Sequence, residues 1–187
     1  MLYCRDNEII TVGETLPESE FRVRVRDESV GGDNPYRWEK MTTSDFFENK
    51  TVVLFSLPGA FTPTCSTFQL PTFENLSNDF YGAGIDEIYC MSVNDSFVMN
   101  AWAKSQNISN VKVIPDGSGH FTKGVGMLVD KDNLGFGARS WRYAMIVDNM
   151  VVRNLFVEDG ICDNAETDPY KETKPENILS ELLSNAG

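Results

Sequence analysis

Apolar and charged side chains alternate from Glu20 to Val30 (EFRVRVRDESV), the period of a half-exposed strand. Gly31 to Pro35 is turn chemistry. Thr51–Leu57 (TVVLFSL) is short, β-branched and aromatic, and reads as a strand buried on both faces. From Cys65 to Phe80 the apolar positions Phe68, Phe73, Leu76 and Phe80 fit a helix, which Pro71 kinks or divides. Residues 85–93 (IDEIYCMSV) form another buried strand. Asp95 then offers a helix N-cap, with Val98, Ala101 and Trp102 on one face of a helix to Asn107. Val111–Ile114 is a short strand, and residues 116–140 are glycine-rich with short elements only. Tyr143–Val147 and Val151–Val157 flank Asp148-Asn149-Met150 as a hairpin. Pro175 opens a last helix with its stripe at Ile178, Leu179, Leu182 and Leu183.

Buried strands that alternate with helices predict an α/β fold, a central sheet covered on both faces. The closing hairpin makes the sheet mixed. No linker, repeat or low-complexity tract divides the chain, so residues 1–187 are expected to form one domain.

The charge narrows the partners. Lys and Arg number 16 against 28 Asp and Glu, a formal net charge of −12. This argues against a nucleic-acid partner, whose phosphates attract cations. No apolar run approaches the roughly 20 residues that span a bilayer. MLYCRDNEII lacks a signal-peptide core, so a cytoplasmic protein is expected, with no membrane partner. The four cysteines, Cys4, Cys65, Cys90 and Cys162, are widely spaced and make no C-x-x-C. A disulfide scaffold and a metal site are both disfavoured.

One cysteine stands apart. Cys65 ends the stretch Pro58-Gly-Ala-Phe-Thr-Pro-Thr-Cys65, at the junction between a buried strand and a helix. Ligands meet α/β folds at such carboxyl ends of strands. The helix dipole and its free N–H groups favour a thiolate there. Pro58 and Pro63 stiffen the loop, and Thr62 and Thr64 place hydroxyls within a turn of the sulfur. Cys90, in mid-strand, reads as a small core hydrophobe. Cys4 falls in the terminus, with no role expected.

A cysteine protease needs a histidine base, and the single histidine, His120, reads as a surface residue. Thioredoxin-type exchange needs C-x-x-C. What remains is a thiolate acting on an electrophile that needs little acid–base help. A peroxide fits, because its O–O bond is weak and the product is a sulfenic acid. A nearby arginine would stay charged and offer donors in a fixed fork.

These residues resemble a known family. Pro58-x-x-x-Thr62-x-x-Cys65 looks like the active-site signature of peroxiredoxins, and PGAFTPTCS resembles their type 5 subfamily, type II or D in plants. RVRDE at 24–28, NPYRWE at 34–39, SVND at 92–95 and KGVGMLVDKDNLGFGARSWRYAMIVD at 123–148 extend the likeness over nearly the whole chain. The resemblance implies a thioredoxin-like fold and thiol-dependent reduction of hydrogen peroxide and alkyl hydroperoxides, with no metal or cofactor. It implies that Cys65 attacks the peroxide and that Thr62 hydrogen-bonds to peroxide and thiolate. Pro58 shields the site from water. Arg139 is aligned with the family arginine that holds the thiolate and polarises the peroxide. Arg142 competes for that role; residues three apart on a strand point to opposite faces, so only one can face the site. A homodimer is implied as well.

Turnover needs a thiol to reduce the sulfenate. Cys162 in EDGICD is a candidate resolving cysteine, with thioredoxin as donor. The following DPYKETKPENIL resembles bacterial members linked to glutathione or glutaredoxin, and an external thiol is the favoured scheme. A redox relay that passes oxidation to a partner protein is the rival function. Asp130-Lys-Asp-Asn-Leu-Gly begins like a calcium loop, but Trp141 stands where the bidentate Glu belongs. Gly124-x-Gly126 and Gly135-x-Gly137 each lack the third glycine of a dinucleotide fingerprint.

Overall fold

The structure is a computed structural model that describes residues 8–185; Cys4 lies outside them. Strands β1 (Glu20–Arg26) and β2 (Tyr36–Thr42) form an antiparallel ribbon. The alternation ends at Arg26. Residues 28–30 form a 3₁₀ turn, started by Asp27, whose side chain accepts from the Ser29 N–H. Helix α1 (Thr43–Phe47) follows β2 through a capping box between Thr42 and Asp45. Both β2 and α1 go beyond the elements predicted above.

The central sheet contains β3 (Thr51–Ser56), β4 (Glu87–Ser92), β5 (Lys112–Pro115), β8 (Tyr143–Asp148) and β9 (Val151–Val157). Their spatial order is β5-β4-β3-β8-β9; β3, β4 and β5 are parallel, while β8 and β9 run antiparallel to their neighbours. This is the predicted mixed sheet of a thioredoxin-like α/β fold. The 116–140 region holds α5 (His120–Gly124) and the small ribbon of β6 (Leu128–Asp130) and β7 (Ala138–Ser140).

The period of two along β3 sorts its side chains onto two cores. Val52 and Leu54 join Phe47, Phe121, Met145 and Cys162 on one face. Val53 and Phe55 join Cys65, Phe73, Cys90, Trp102 and Ile178 on the other. The second face carries α2 (Leu70–Asn75), α3 (Ser77–Gly82), α4 (Ser96–Ser105) and α6 (Pro175–Ser184). Phe55 and Phe73 stack with centroids 3.8 Å apart, which seats α2 on β3. Asp95 caps α4 as expected, accepting from the Val98 N–H at 3.0 Å. Among the described residues, no helix is long and apolar enough to cross a membrane.

Candidate active site

Strand β3 delivers the chain into a closed loop. Pro58, Gly59 and Ala60 are buried. Asn94, just past β4, receives the Ala60 N–H at 3.0 Å and the Ser92 hydroxyl at 2.7 Å. Thr62 donates its hydroxyl to the Gly59 carbonyl at 2.7 Å, and its own carbonyl accepts from Ser66 N–H at 3.0 Å. Phe61 at the loop tip has φ of 65° and is 56% exposed. A left-handed phenylalanine costs about 1–3 kcal/mol and persists only where its surroundings impose it. Here the Asn94 and Thr62 bonds on either side impose it.

Cys65 lies in the first turn of the helix beyond this loop, which starts at Pro63, and is fully buried. From Cys65 to Gln69 this helix is a π-helix, in which the Leu70 N–H reaches back to the Cys65 carbonyl. Pro71 accounts for the wide turn: its ring would strike the carbonyl four residues earlier in a regular α-helix and it has no N–H to donate. The helix expected to be kinked or divided by Pro71 runs as the π turn, then α2, and past Leu76 as α3. The indole N–H of Trp102 on α4 donates to the Ser66 hydroxyl at 2.9 Å and pins this turn from outside.

The arginine facing the sulfur is Arg142. Its Nη1 donates to Cys65 Sγ at 3.5 Å and to the Gln69 side-chain oxygen, and its residue is 1% exposed. Burial would lower the pKa of Arg142, but the charges of Cys65 and Asp168 outweigh it and hold the guanidinium above its ordinary value. The expectation for Arg139 is corrected here. Arg139 donates from Nη1 to the Pro58 carbonyl at 3.1 Å and from Nε to the Phe136 carbonyl at 3.3 Å. It braces the back of the loop.

The reason is topological. The two arginines do not share one strand, as the argument from alternation supposed. Arg139 lies in β7, and Arg142 lies in the link between β7 and β8. Because β8 is antiparallel to β3 with Tyr143 opposite Ser56, the residue before β8 lies beside the chain leaving β3. An arginine flush against the apolar run YAMIV is the signal that could have picked it out.

The cysteines separate by face. Cys162 packs into the core opposite Cys65, so the sheet lies between the two residues proposed to pair. Cys90 shares the Cys65 side, and burial, with the charge on Cys65 added, pushes its thiol well above the ordinary value. His120 is exposed at the start of α5. Lys131, in the calcium-like stretch, is 2% exposed and lies over the Trp141 ring at 5.6 Å. Among the described residues, no group of three or more His, Cys, Asp or Glu could hold a metal ion. Gln69, Asn94 and Asp168 are site residues that sequence reasoning missed, since polar residues in loops and helices carry no pattern that marks them.

Known proteins match this architecture. The Redoxin family model matches residues 12–171. A peroxiredoxin from Rhizobium etli is 62% identical over 177 residues, covering 95% of this chain and 99% of that protein. Peroxiredoxin sll1621 of Synechocystis is 52% identical, covering 90% of this chain and 89% of that one. Peroxiredoxin-2D of Arabidopsis thaliana is 38% identical, covering 81% of this chain and 89% of that one. Among solved structures, the Plasmodium falciparum antioxidant protein, a 1-Cys peroxiredoxin, superposes with a TM-score of 0.85 at 37% identity, covering 92% of this chain and 99% of that chain. Reduced Prx3 of Vibrio vulnificus in complex with hydrogen peroxide gives 0.81 at 36%, covering 95% and 99%. With a cysteine at the strand–helix junction, a buried cation on its sulfur and relatives of this identity along nearly its whole length, the chain belongs to the peroxiredoxins, the thiol peroxidases of the redoxin family.

Proposed function

We propose that this peroxidase reduces hydrogen peroxide and alkyl hydroperoxides at Cys65 and is recycled by an external thiol, glutathione or glutaredoxin. The Cys65 thiolate attacks one peroxide oxygen. The S–O bond forms as the O–O bond breaks, and the departing hydroxide or alkoxide takes up a proton. Arg142, already donating to Cys65 Sγ at 3.5 Å, offers donors where negative charge develops on the departing oxygen. Thr62 stands one turn before the sulfur and can turn its hydroxyl from the Gly59 carbonyl to the peroxide. Pro58 and the buried loop limit access of water. The first glutathione then displaces water from the sulfenic acid to give a mixed disulfide, and a second releases Cys65 and oxidised glutathione.

The position of Cys162 carries the choice of reductant. It packs on the opposite face of the sheet from Cys65, so pairing them would require breaking core packing on both faces. The likeness to a structure described as a 1-Cys peroxiredoxin supports the same scheme. The test is the intact mass of the reduced protein after one equivalent of hydrogen peroxide, with remaining thiols then alkylated. The expected gain is one oxygen, with Cys65 alone protected. Loss of two hydrogens, with Cys162 or Cys90 protected along with Cys65, overturns the one-cysteine scheme.

Exposed Phe61 and Phe68, beside the active-site loop, support a homodimer formed around that loop. Light scattering at micromolar concentration is expected to give a dimer; a monomer would exclude it.

A further inference from the structure

Arg142 is held mostly from one direction. Asp168 Oδ2 accepts from its Nη2 at 2.6 Å, the Pro169 carbonyl accepts from its Nε at 3.2 Å, and the Tyr170 ring faces the guanidinium with its centroid 5.5 Å away. A carboxylate, a carbonyl and a ring from three successive residues therefore close on one cation. Together with Gln69 they leave the Nη1 edge aimed at the sulfur. A guanidinium has fixed fork geometry, so orienting two of its nitrogens orients the third. Burial pushes the Tyr170 phenol up to about 12, with the charge on Glu176 next, so the ring stays neutral.

This segment has no helix or strand of its own, yet it is anchored. The Glu158 carboxylate, 1% exposed, accepts from the backbone N–H groups of Lys171, Glu172 and Thr173 at 2.8, 2.9 and 2.9 Å, and from the Thr173 hydroxyl at 2.8 Å. Glu158 is tied in turn to Arg142, whose carbonyl accepts its N–H at 3.3 Å. One buried carboxylate thus fixes the loop to the strand end that carries the arginine. Other charged groups near this cluster are Lys131, which feels both Asp168 and Arg142, Lys174, whose ammonium lies over the Tyr170 ring at 5.8 Å, and Glu176.

We propose that Asp168, Pro169 and Tyr170 form a positioning clamp that sets the Arg142 guanidinium on Cys65, with Asp168 as the positioning residue that acts through Arg142. Asp168 bonds to the guanidinium and not to the sulfur. It supplies a charge-assisted bond that stops the guanidinium from turning away.

The inference rests on the reading of Arg142 given above, and the test separates the two. The pre-reduced full-length protein is mixed with hydrogen peroxide, and the single-turnover rate constant of Cys65 oxidation is measured for Asp168→Ala, Asp168→Glu, Arg142→Met and the double variant Asp168→Ala/Arg142→Met. Asp168 has a side chain 42% exposed, so its removal leaves the core packing in place. The expected result is a fall of about tenfold in Asp168→Ala, with Asp168→Glu regaining most of the rate. In the Arg142→Met background, the loss of Asp168 should change the rate less than about twofold, because its only route to the sulfur is gone. A wild-type rate in Asp168→Ala beside a slow Arg142→Met overturns the clamp. Equal losses in both backgrounds overturn it too, since Asp168 would then act without Arg142. A wild-type rate in Arg142→Met instead overturns the role given to Arg142 itself.

Discussion

Arg142 Nη1 lies 3.5 Å from Cys65 Sγ across 77 residues of sequence. The antiparallel pairing of β8 with β3 makes this contact, by laying the entrance of one strand beside the exit of the other. A buried cation paired to a buried sulfur places much of the reaction's electrostatics in one side chain.

Exchanging the two arginines one at a time separates their roles. Arg142→Met is expected to slow Cys65 oxidation by about 100-fold or more, the scale of losing a preorganised donor. Arg139→Ala removes a brace on the Pro58 carbonyl and should cost less than about tenfold. Stopped-flow oxidation of the reduced protein measures both, and the opposite ranking would restore Arg139 to the sulfur.

Glu158→Ala should loosen the segment that follows it. The change orphans the N–H groups of Lys171, Glu172 and Thr173 and the Thr173 hydroxyl, all of which its carboxylate now satisfies. Each unmet buried donor costs about 1–3 kcal/mol. Limited proteolysis should then cut between residues 159 and 174 well before the rest of the chain, whereas protection equal to wild type would show that other contacts hold the loop.

Trp102→Phe keeps the aromatic core of α4 but deletes the bond to Ser66 that pins the Cys65 turn. A loss of about 1 kcal/mol in global stability is expected from denaturant unfolding. Faster amide exchange at residues 65–69 should accompany it. No change in exchange there would mean that the indole contributes packing alone.

Gly126→Ala tests a close approach of backbone. Gly126 has φ of 81°, and a Cβ placed on it would strike the Glu8 carbonyl and the Ile9 backbone. Neither is a side-chain end that can swing aside. A cost above about 1 kcal/mol is expected, read as a lower midpoint in thermal unfolding. Gly135→Ala shares the left-handed φ but meets open space, so it should cost less.

Residues 8–185 show which features a linear pattern can carry. The buried runs at 51–57 and 85–93, the Asp95 cap, the closing hairpin and the Pro175 helix were legible, because each rests on a local period or a local capping bond. The stretch ending in Cys65 was legible for the same reason: the strand exit, the turn residues and the cysteine are contiguous. The irregularity ahead of Pro71 followed from its missing N–H, although its form as a π turn did not.

The sequence by itself determined most of the elements, their α/β order and the place of Cys65 at a strand–helix junction, since these depend on neighbours along the chain. Tertiary structure decided what meets that cysteine. Arg142 rather than Arg139 reaches it because the interruption of the strand between β7 and β8 voids the alternation rule, and strand register then sets which residue stands beside the loop. Cys162 is kept from it because a sheet has two faces, and which face a post-strand residue packs on depends on the path of the chain beyond the strand. Asp168 and Glu158 entered the site through loop closure, a long-range contact that no local pattern encodes.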